Sequence, residues 1–176
     1  SDHAVVRNRA ELKELLDKNF NSYGQAILVE EFIKGREFTV GIVNSGDEIF
    51  VFPPMEIKFK DKAQEHNIYS FNIKKNYKDY VEYVCPAEID KSLEDKMIAA
   101  SKKIFKVLEC RDFSRIDFRM SPEGEIYFIE INPLPGLAPG YSDFPMLAEF
   151  NGVDYDTLIK MILNSGLKRL GKKPVA

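Results

Sequence analysis

The sequence is poor in the residues that build disulfide-stapled or zinc-stapled folds. Its 176 residues include only two cysteines, Cys85 and Cys110, and two histidines, His3 and His66. The cysteines lack a Cys-x-x-Cys spacing and the histidines stand apart, which excludes a disulfide framework and a zinc pattern. We therefore expect two buried thiols in a reducing compartment, and hence a cytoplasmic protein.

Two further absences narrow the class of protein. The formal net charge is −3, so no basic field favours nucleic acid as a partner. The apolar runs are far shorter than the roughly 18 residues of a membrane span, and the first residues lack the pattern of a signal peptide. The content of 44% hydrophobic and 30% charged residues is ordinary for a globular domain with a core.

Hydrophobic periodicity predicts strands and helices that come in runs. Strands are predicted at 26–32, 37–43, 48–52, 80–84, 113–120 and 125–131, and helices at 9–19, 90–108, 144–150 and 155–164. Residues 59–78 are polar and rich in lysine and predict a long surface loop, and the basic residues 168–176 predict a frayed tail. The runs indicate an α+β fold, with a mostly antiparallel sheet and flanking helices.

The two strands at 113–120 and 125–131 carry polar side chains at alternate positions. Arg115 and Asp117 share one face of the first strand, and Glu130 and Asn132 share one face of the second. A connection of two or four residues brings Asp117, Glu130 and Asn132 together. Turn chemistry also permits a three-residue loop ending at Gly124, but that loop would bury Glu130, and we reject it on its cost.

Two carboxylates about 4 Å apart repel by roughly 4 kcal/mol at an effective dielectric constant near 20. A cation or a raised pKa must offset this repulsion. Oxygen ligands from Asp, Glu and Asn suit Mg²⁺, and Arg115 could hold a phosphate or carboxylate beside it. The alternative is a solvated polar face held by an Arg–Glu pair across the strands. Spacing alone leaves both interpretations open.

A loop rich in proline and glycine, residues 133–142, follows the second strand directly. Prolines stiffen the backbone and glycines let it approach a ligand closely. The loop could hold a substrate anion, or it could be a simple connector.

Taken in order, three segments resemble D-alanine–D-alanine ligases of the ATP-grasp superfamily. Val29 to Val40 resembles the hinge and strand of that family. Arg115-Ile116-Asp117-Phe118 and Glu130-Ile131-Asn132-Pro133, followed by Pro135-Gly136, resemble its metal and phosphate motif. The separations also match, over residues 26–152. The resemblance implies that residues 1–176 are the carboxy-terminal ATP-grasp subdomain, without the amino-terminal domain and the first ATP-grasp lobe, so this piece alone should be inactive.

The resemblance also implies an activity: an ADP-forming, ATP-dependent carboxylate–amine ligase acting through an acyl phosphate, as in peptidoglycan biosynthesis. Its cofactors would be ATP and two Mg²⁺ ions, with Mn²⁺ as an alternative ion. Its partners would be small amino-acid substrates, with neither nucleic acid nor membrane involved, and the full-length protein would be a homodimer.

The family's site residues carry over position by position. Glu30 would accept from the adenine amino group, the backbone of Phe32 and Ile33 would form the adenine hinge, and Glu37 would bind the ribose hydroxyls. Asp117 and Glu130 would hold one Mg²⁺, and Glu130 and Asn132 the second. Arg115 and the Gly136 backbone would stabilise the transferring phosphate or the tetrahedral intermediate.

The long polar loop also resembles part of the family. Tyr69 to Lys74 is similar to its mobile loop, in which an aromatic-rich stretch precedes a lysine, and Lys74 would meet the γ-phosphate; the alternative is a solvated lysine run. Residues 137–144 depart from the family's usual Met-Thr and Ser-Leu after Pro-Gly. The acceptor therefore stays open: D-alanine, a different amino acid or a peptide. A non-catalytic nucleotide-binding remnant is a further alternative.

Overall fold

A computed structural model describes residues 5–44, 48–60 and 77–175 of the chain, the last range without the side chains of residues 77 and 78. The chain divides into two compact units. One comprises Ser1–Lys34 and Phe59–Glu82, and the other comprises Gly35–Lys58 and Tyr83–Ala176.

The first unit contains helix α1, Arg9–Tyr23, and the short helix α2, Tyr77–Tyr80. Helix α1 begins where predicted, because the side chain of Asn8 accepts from the backbone N–H groups of Ala10 and Glu11. It runs four residues beyond the predicted end, since the turn-forming residues 21–23 continue the helix until Gly24 closes it with φ of 61°.

The strand predicted at 26–32 is wrong: the structure assigns no regular secondary structure to these residues. Their apolar composition favours a strand, but a strand is stable only when a neighbour takes its hydrogen bonds. Within the described ranges no strand pairs with this segment, and Leu28 and Val29 are 79% and 53% exposed.

The strands form a six-stranded sheet. Its strands are β1, Arg36–Asn44; β2, Ile49–Val51; β3, Met55–Phe59; β4, Val81–Val84; β5, Phe113–Met120; and β6, Ile126–Asn132. The order is β4-β3-β1-β5-β6, with β2 also paired to β1. Strand β1 pairs antiparallel with β2, β3 and β5, and β5 pairs antiparallel with β6. The predicted α+β class with a mostly antiparallel sheet is confirmed, although strand β3 was missed.

Helix α3, Lys91–Val107, covers one face of this sheet. Its Met97 and Phe105 are buried against Phe38, Ile116 and Phe118. Asp90 caps the helix, accepting from the backbone N–H of Leu93 at 2.9 Å, so the helix begins within one residue of the predicted start.

Helices α4, Asp143–Phe150, and α5, Tyr155–Arg169, contribute to a second apolar cluster. Here Gly41 of β1 lets α4 come close, because a Cβ at that position would lie only 3.0 Å from the rings of Phe52 and Phe144. This close packing places Asp143, the first residue of α4, beside strand β5.

Candidate metal and phosphate site

The β5–β6 hairpin builds the candidate site through a one-residue β-bulge. Near the turn, Met120 pairs with Ile126, and the backbone of Ser121 donates to Glu125, so the connection is the three-residue loop that we had rejected. The register then shifts between Phe118 and Asp117. The shift adds one residue to β6 and restores the alternation of faces. The rejection of the three-residue loop is therefore wrong, but Asp117 and Glu130 lie opposite each other and so share a face, as predicted.

Strand β1 adds to the same face of the sheet, because each of its alternate residues lies opposite one of β5. Thr39 pairs with Asp117 and donates its hydroxyl to Asp117 Oδ1 at 2.6 Å. Glu37 pairs with Arg119, whose Nη2 lies 3.0 Å from the Glu37 carboxylate. Glu37, the predicted ribose-binding residue, therefore forms an ion pair with Arg119 in this structure.

Arg115 is the centre of the cluster. Its Nε and Nη2 donate to the two oxygens of Asp117 at 3.0 and 2.7 Å, and its Nη1 donates to Asp143 Oδ2 at 3.0 Å. Glu130 Oε1 lies farther away, 3.9 Å from Nη2. Burial is the largest influence and lowers the pKa of Arg115, but Asp117, Asp143 and Glu130 together outweigh it, and the net effect raises that pKa.

The oxygens on this face fit a hard divalent cation. Oδ1 of Asp117 accepts from Thr39 and Arg115, whereas within the described part of the chain Oδ2 accepts only from Arg115, which leaves one lone pair of Oδ2 for a metal. The Glu130 side chain is 64% exposed, and Asn132 Oδ1 accepts from the backbone of Leu134. No group of three or more His, Cys, Asp or Glu side chains suited to a metal occurs among the described residues; the predicted set has two carboxylates and one amide.

The Pro-Gly loop ends at helix α4. Gly136 lies so close to Ser142 that a Cβ would be 2.6 Å from the serine Oγ. That oxygen accepts from the backbone N–H of Ala138 at 3.2 Å. A side chain at position 136 would therefore require the hydroxyl of Ser142, the N-cap residue of α4, to move.

Comparison with known proteins places the chain in a family. The family described as D-ala D-ala ligase C-terminus matches residues 3–164. The chain belongs to this D-alanine–D-alanine ligase family. The D-alanine–D-alanine ligase of Fervidobacterium nodosum is 35% identical over 167 residues, which are 94% of this chain and 50% of that protein.

Two solved structures of the family have a similar fold. The Bacillus anthracis D-alanine–D-alanine ligase complexed with ATP has a TM-score of 0.74 at 24% identity, over 93% of this chain and 50% of that one. The VanG D-Ala:D-Ser ligase of Enterococcus faecalis has a TM-score of 0.69 at 25% identity, over 93% and 46%. The chain thus spans about half the length of the relatives it matches. Among the described residues, no helix is long and apolar enough to cross a membrane.

The residues predicted from the family to contact adenine lie in the first unit. Glu30 is exposed, and Phe32 and Ile33 are partly buried. Because these residues and the carboxylates belong to different units, the adenine assignments stay predictions. Lys74 lies outside the described residues, so its assignment stays a prediction as well.

The sequence reasoning missed three residues of the site: Thr39, Tyr83 and Asp143. A signal existed for Thr39, which alternates with Glu37 on the same face of β1. Asp143 follows the N-cap position Ser142 and looks like an ordinary acid in the first turn of a helix. Only the structure shows that it is buried, 1% exposed, and bonded to Arg115 and Tyr83.

Proposed function

We propose that the full-length protein is an ATP- and Mg²⁺-dependent, ADP-forming ligase that joins a carboxylate to an amine through an acyl phosphate. The observation that carries the proposal is the placement of Asp117 opposite Glu130, beside Arg115. Relatives that are named D-alanine–D-alanine ligase support D-alanine as the first substrate to test.

The charge of the cluster favours a divalent cation. Among the described residues, one guanidinium faces the carboxylates of Asp117, Asp143 and Glu130, a formal charge of −2 in which Asp117 and Asp143 are largely buried and Glu130 is largely exposed. Such an excess of negative charge attracts a cation. Asp117 Oδ2, Glu130 and Asn132 would hold Mg²⁺, with Glu130 shared if two ions bind. When bound, the metal neutralises charge on the transferring phosphoryl group.

The protein groups would act mainly by positioning. Glu30 and the hinge backbone of Phe32 and Ile33 would orient the adenine, and Glu37 would bind the ribose after sharing or leaving Arg119. Arg115, with Lys74 and the backbone of Gly136, would stabilise negative charge on the transferring phosphate. A cytoplasmic location, where ATP is available, and a homodimer belong to the same proposal; sedimentation of the full-length protein tests the homodimer.

The acceptor is a separate question. Residues 137–144 differ from the Met-Thr and Ser-Leu pattern expected there, and Asp143 occupies this segment. A solved structure similar to this chain is named as a D-Ala:D-Ser ligase. We therefore propose as a second candidate a ligase of the same reaction class with a different amino acid or a peptide as acceptor.

Phosphate release by the full-length protein tests both candidates. We expect ATP-dependent release with D-alanine, and a panel that pairs D-alanine with D-serine and other amino acids or peptides identifies the preferred acceptor. Release with another pair and none with D-alanine would favour the second candidate. If no carboxylate–amine pair supports release, the proposed reaction class is wrong.

A further inference from the structure

Asp143 is a buried carboxylate that two other elements hold in place. It is 1% exposed, its Oδ2 accepts from Arg115 of β5 at 3.0 Å, and its Oδ1 accepts from the hydroxyl of Tyr83 of β4 at 2.9 Å. Strand β4, strand β5 and the start of helix α4 therefore meet at this one side chain.

Stability alone does not account for an acid here. The residues that follow in α4, Phe144 to Ala148, are buried and largely apolar, and apolar side chains could hold this helix on the sheet. A buried ion pair generally stabilises a fold no more than well-packed apolar residues of similar volume. The presence of a carboxylate at position 143 thus points to what it does to Arg115.

Asp143 fixes the orientation of the guanidinium. Asp117 bonds the edge formed by Nε and Nη2, and Asp143 bonds Nη1. The planar guanidinium of Arg115 is thus held by carboxylates on two of its sides. With Asp117 alone, the guanidinium could tilt whenever the Asp117 side chain moved. Among the described residues these contacts engage three of the five N–H donors of Arg115, and one donor on Nη1 and one on Nη2 are left for a ligand.

The second contact matters most when a metal is present. A cation at Asp117 would share the charge of that carboxylate and weaken its hold on Arg115. Asp143 is almost fully buried and is not one of the proposed metal ligands, so its bond to Nη1 would persist.

We propose that Asp143, held by Tyr83, is a positioning residue that keeps Arg115 directed at the transferring phosphate while the metal occupies Asp117. The inference rests on the proposed ligase function, because it assigns Asp143 a part in the same site. It also gives a role to Asp143, one residue of the segment 137–144 in which the chain departs from the family pattern.

Steady-state phosphate release by the full-length protein tests this proposal with two variants. Asp143→Asn keeps the shape of the side chain but removes its charge, and we expect kcat to fall about tenfold or more while KM for ATP changes little, as for residues that orient a catalytic group. Tyr83→Phe removes only the hydroxyl and should lower kcat in the same way but less.

Asp112→Asn is the matched control, because it also breaks an Asp–Arg pair, but one made with Arg169 of α5. It should leave kcat unchanged. If Asp143→Asn fails to fold, Tyr83→Phe, which keeps the ring, decides the question.

The two proposals fail in different ways. Parental kcat in Asp143→Asn and Tyr83→Phe, together with a strong loss in Glu130→Gln, overturns the positioning role and leaves the ligase function standing. Loss of thermal stability in the two variants without a fall in kcat also overturns it, since the contacts would then be structural. Parental turnover in Glu130→Gln contradicts the metal site of the proposed function itself.

Discussion

Two aspartate–arginine clusters flank the beginning of strand β5, and they differ in charge balance and burial. Asp112, just before the strand, binds Arg169 Nη2 at 2.7 Å and Nε at 3.1 Å, and accepts from Ser165. The second cluster joins Arg115 to Asp117 and Asp143 inside the fold, with Glu130 nearby. Among the described residues, Asp112 is paired with Arg169 and is also under the weaker influence of Arg111, so negative charge is not in excess there, whereas Arg115 faces three carboxylates.

These differences suggest different roles for the two clusters, a structural contact for Asp112 and Arg169 and a ligand site around Arg115. The side chain of Arg169 is 42% exposed and that of Arg115 is 9% exposed, so water screens the first pair but hardly reaches the second. A balanced pair needs nothing further, and Asp112 serves to hold helix α5. The second cluster has negative charge in excess, partly buried at Asp117 and Asp143 and partly exposed at Glu130, and such an excess attracts a cation.

The largest expected effect comes from removing the central cation. Arg115→Met would leave Asp117 without its main partner and Asp143 buried with only part of its bonding. We expect the free energy of unfolding to fall by roughly 3–5 kcal/mol, the range for breaking a buried pair by removal of one partner. Urea denaturation of the full-length protein measures the change. A loss as small as that of an exposed pair would show that the two clusters do not differ as described.

The next largest expected effect is a loss of turnover on changing Glu130, the largely exposed carboxylate near Arg115. Glu130→Gln removes a proposed metal ligand with little change of shape, and we expect Mg-ATP turnover to fall at least ~100-fold. Glu125→Gln is the control, because Glu125 is an exposed acid on the same hairpin but outside the site. Equal activity in the two variants would refute the metal assignment.

Parts of this comparison could be predicted from the sequence. Arg115 and Asp117 share one face of β5, and Glu130 and Asn132 share one face of β6, as the two-residue period of a strand predicts. The bulge between Phe128 and Glu130 could not be predicted, because turn chemistry permits several loop lengths and the register is decided by which face is buried. The common face of Asp117 and Glu130 is predicted correctly, but through an incorrect loop and without the observed pairing of the two residues.

Other features depend on contacts between distant residues. The start of α3 follows from Asp90 and its apolar stripe, both of which are local. The pairing of Asp143 with Tyr83 and Arg115 joins residues 60 and 28 positions apart, for which the sequence holds no local signal. For the segment 26–32 the local signal was present, but no partner strand accompanies it among the described residues.

The smallest expected effect is a pH-dependent change in the stability contributed by the pair of Asp112 and Arg169. The hydrogen bond from Arg169 is the main cause that lowers the pKa of Asp112. A lowered folded-state pKa means that the pair stabilises the fold above the unfolded-state pKa, near 3.9, and that this contribution is lost as pH falls through the folded-state value. Asp112→Asn should therefore lower stability slightly at neutral pH, since exposed pairs contribute little.

Thermal unfolding of Asp112→Asn and the parent from pH 7 to pH 2 measures this effect. The two curves should converge at the acidic end. A difference that grows on acidification would contradict the assignment.

The central claim is that Asp117, Glu130 and Asn132 form a metal centre. Anomalous diffraction from crystals of the full-length protein grown with Mn²⁺ and ATP tests it most directly, because it locates the ion independently of activity. We predict an anomalous peak within coordination distance of Asp117 Oδ2 and Glu130, with Arg115 still bonded to Asp143. A peak that contacts neither carboxylate, or ATP bound with no peak at the hairpin, would contradict the account.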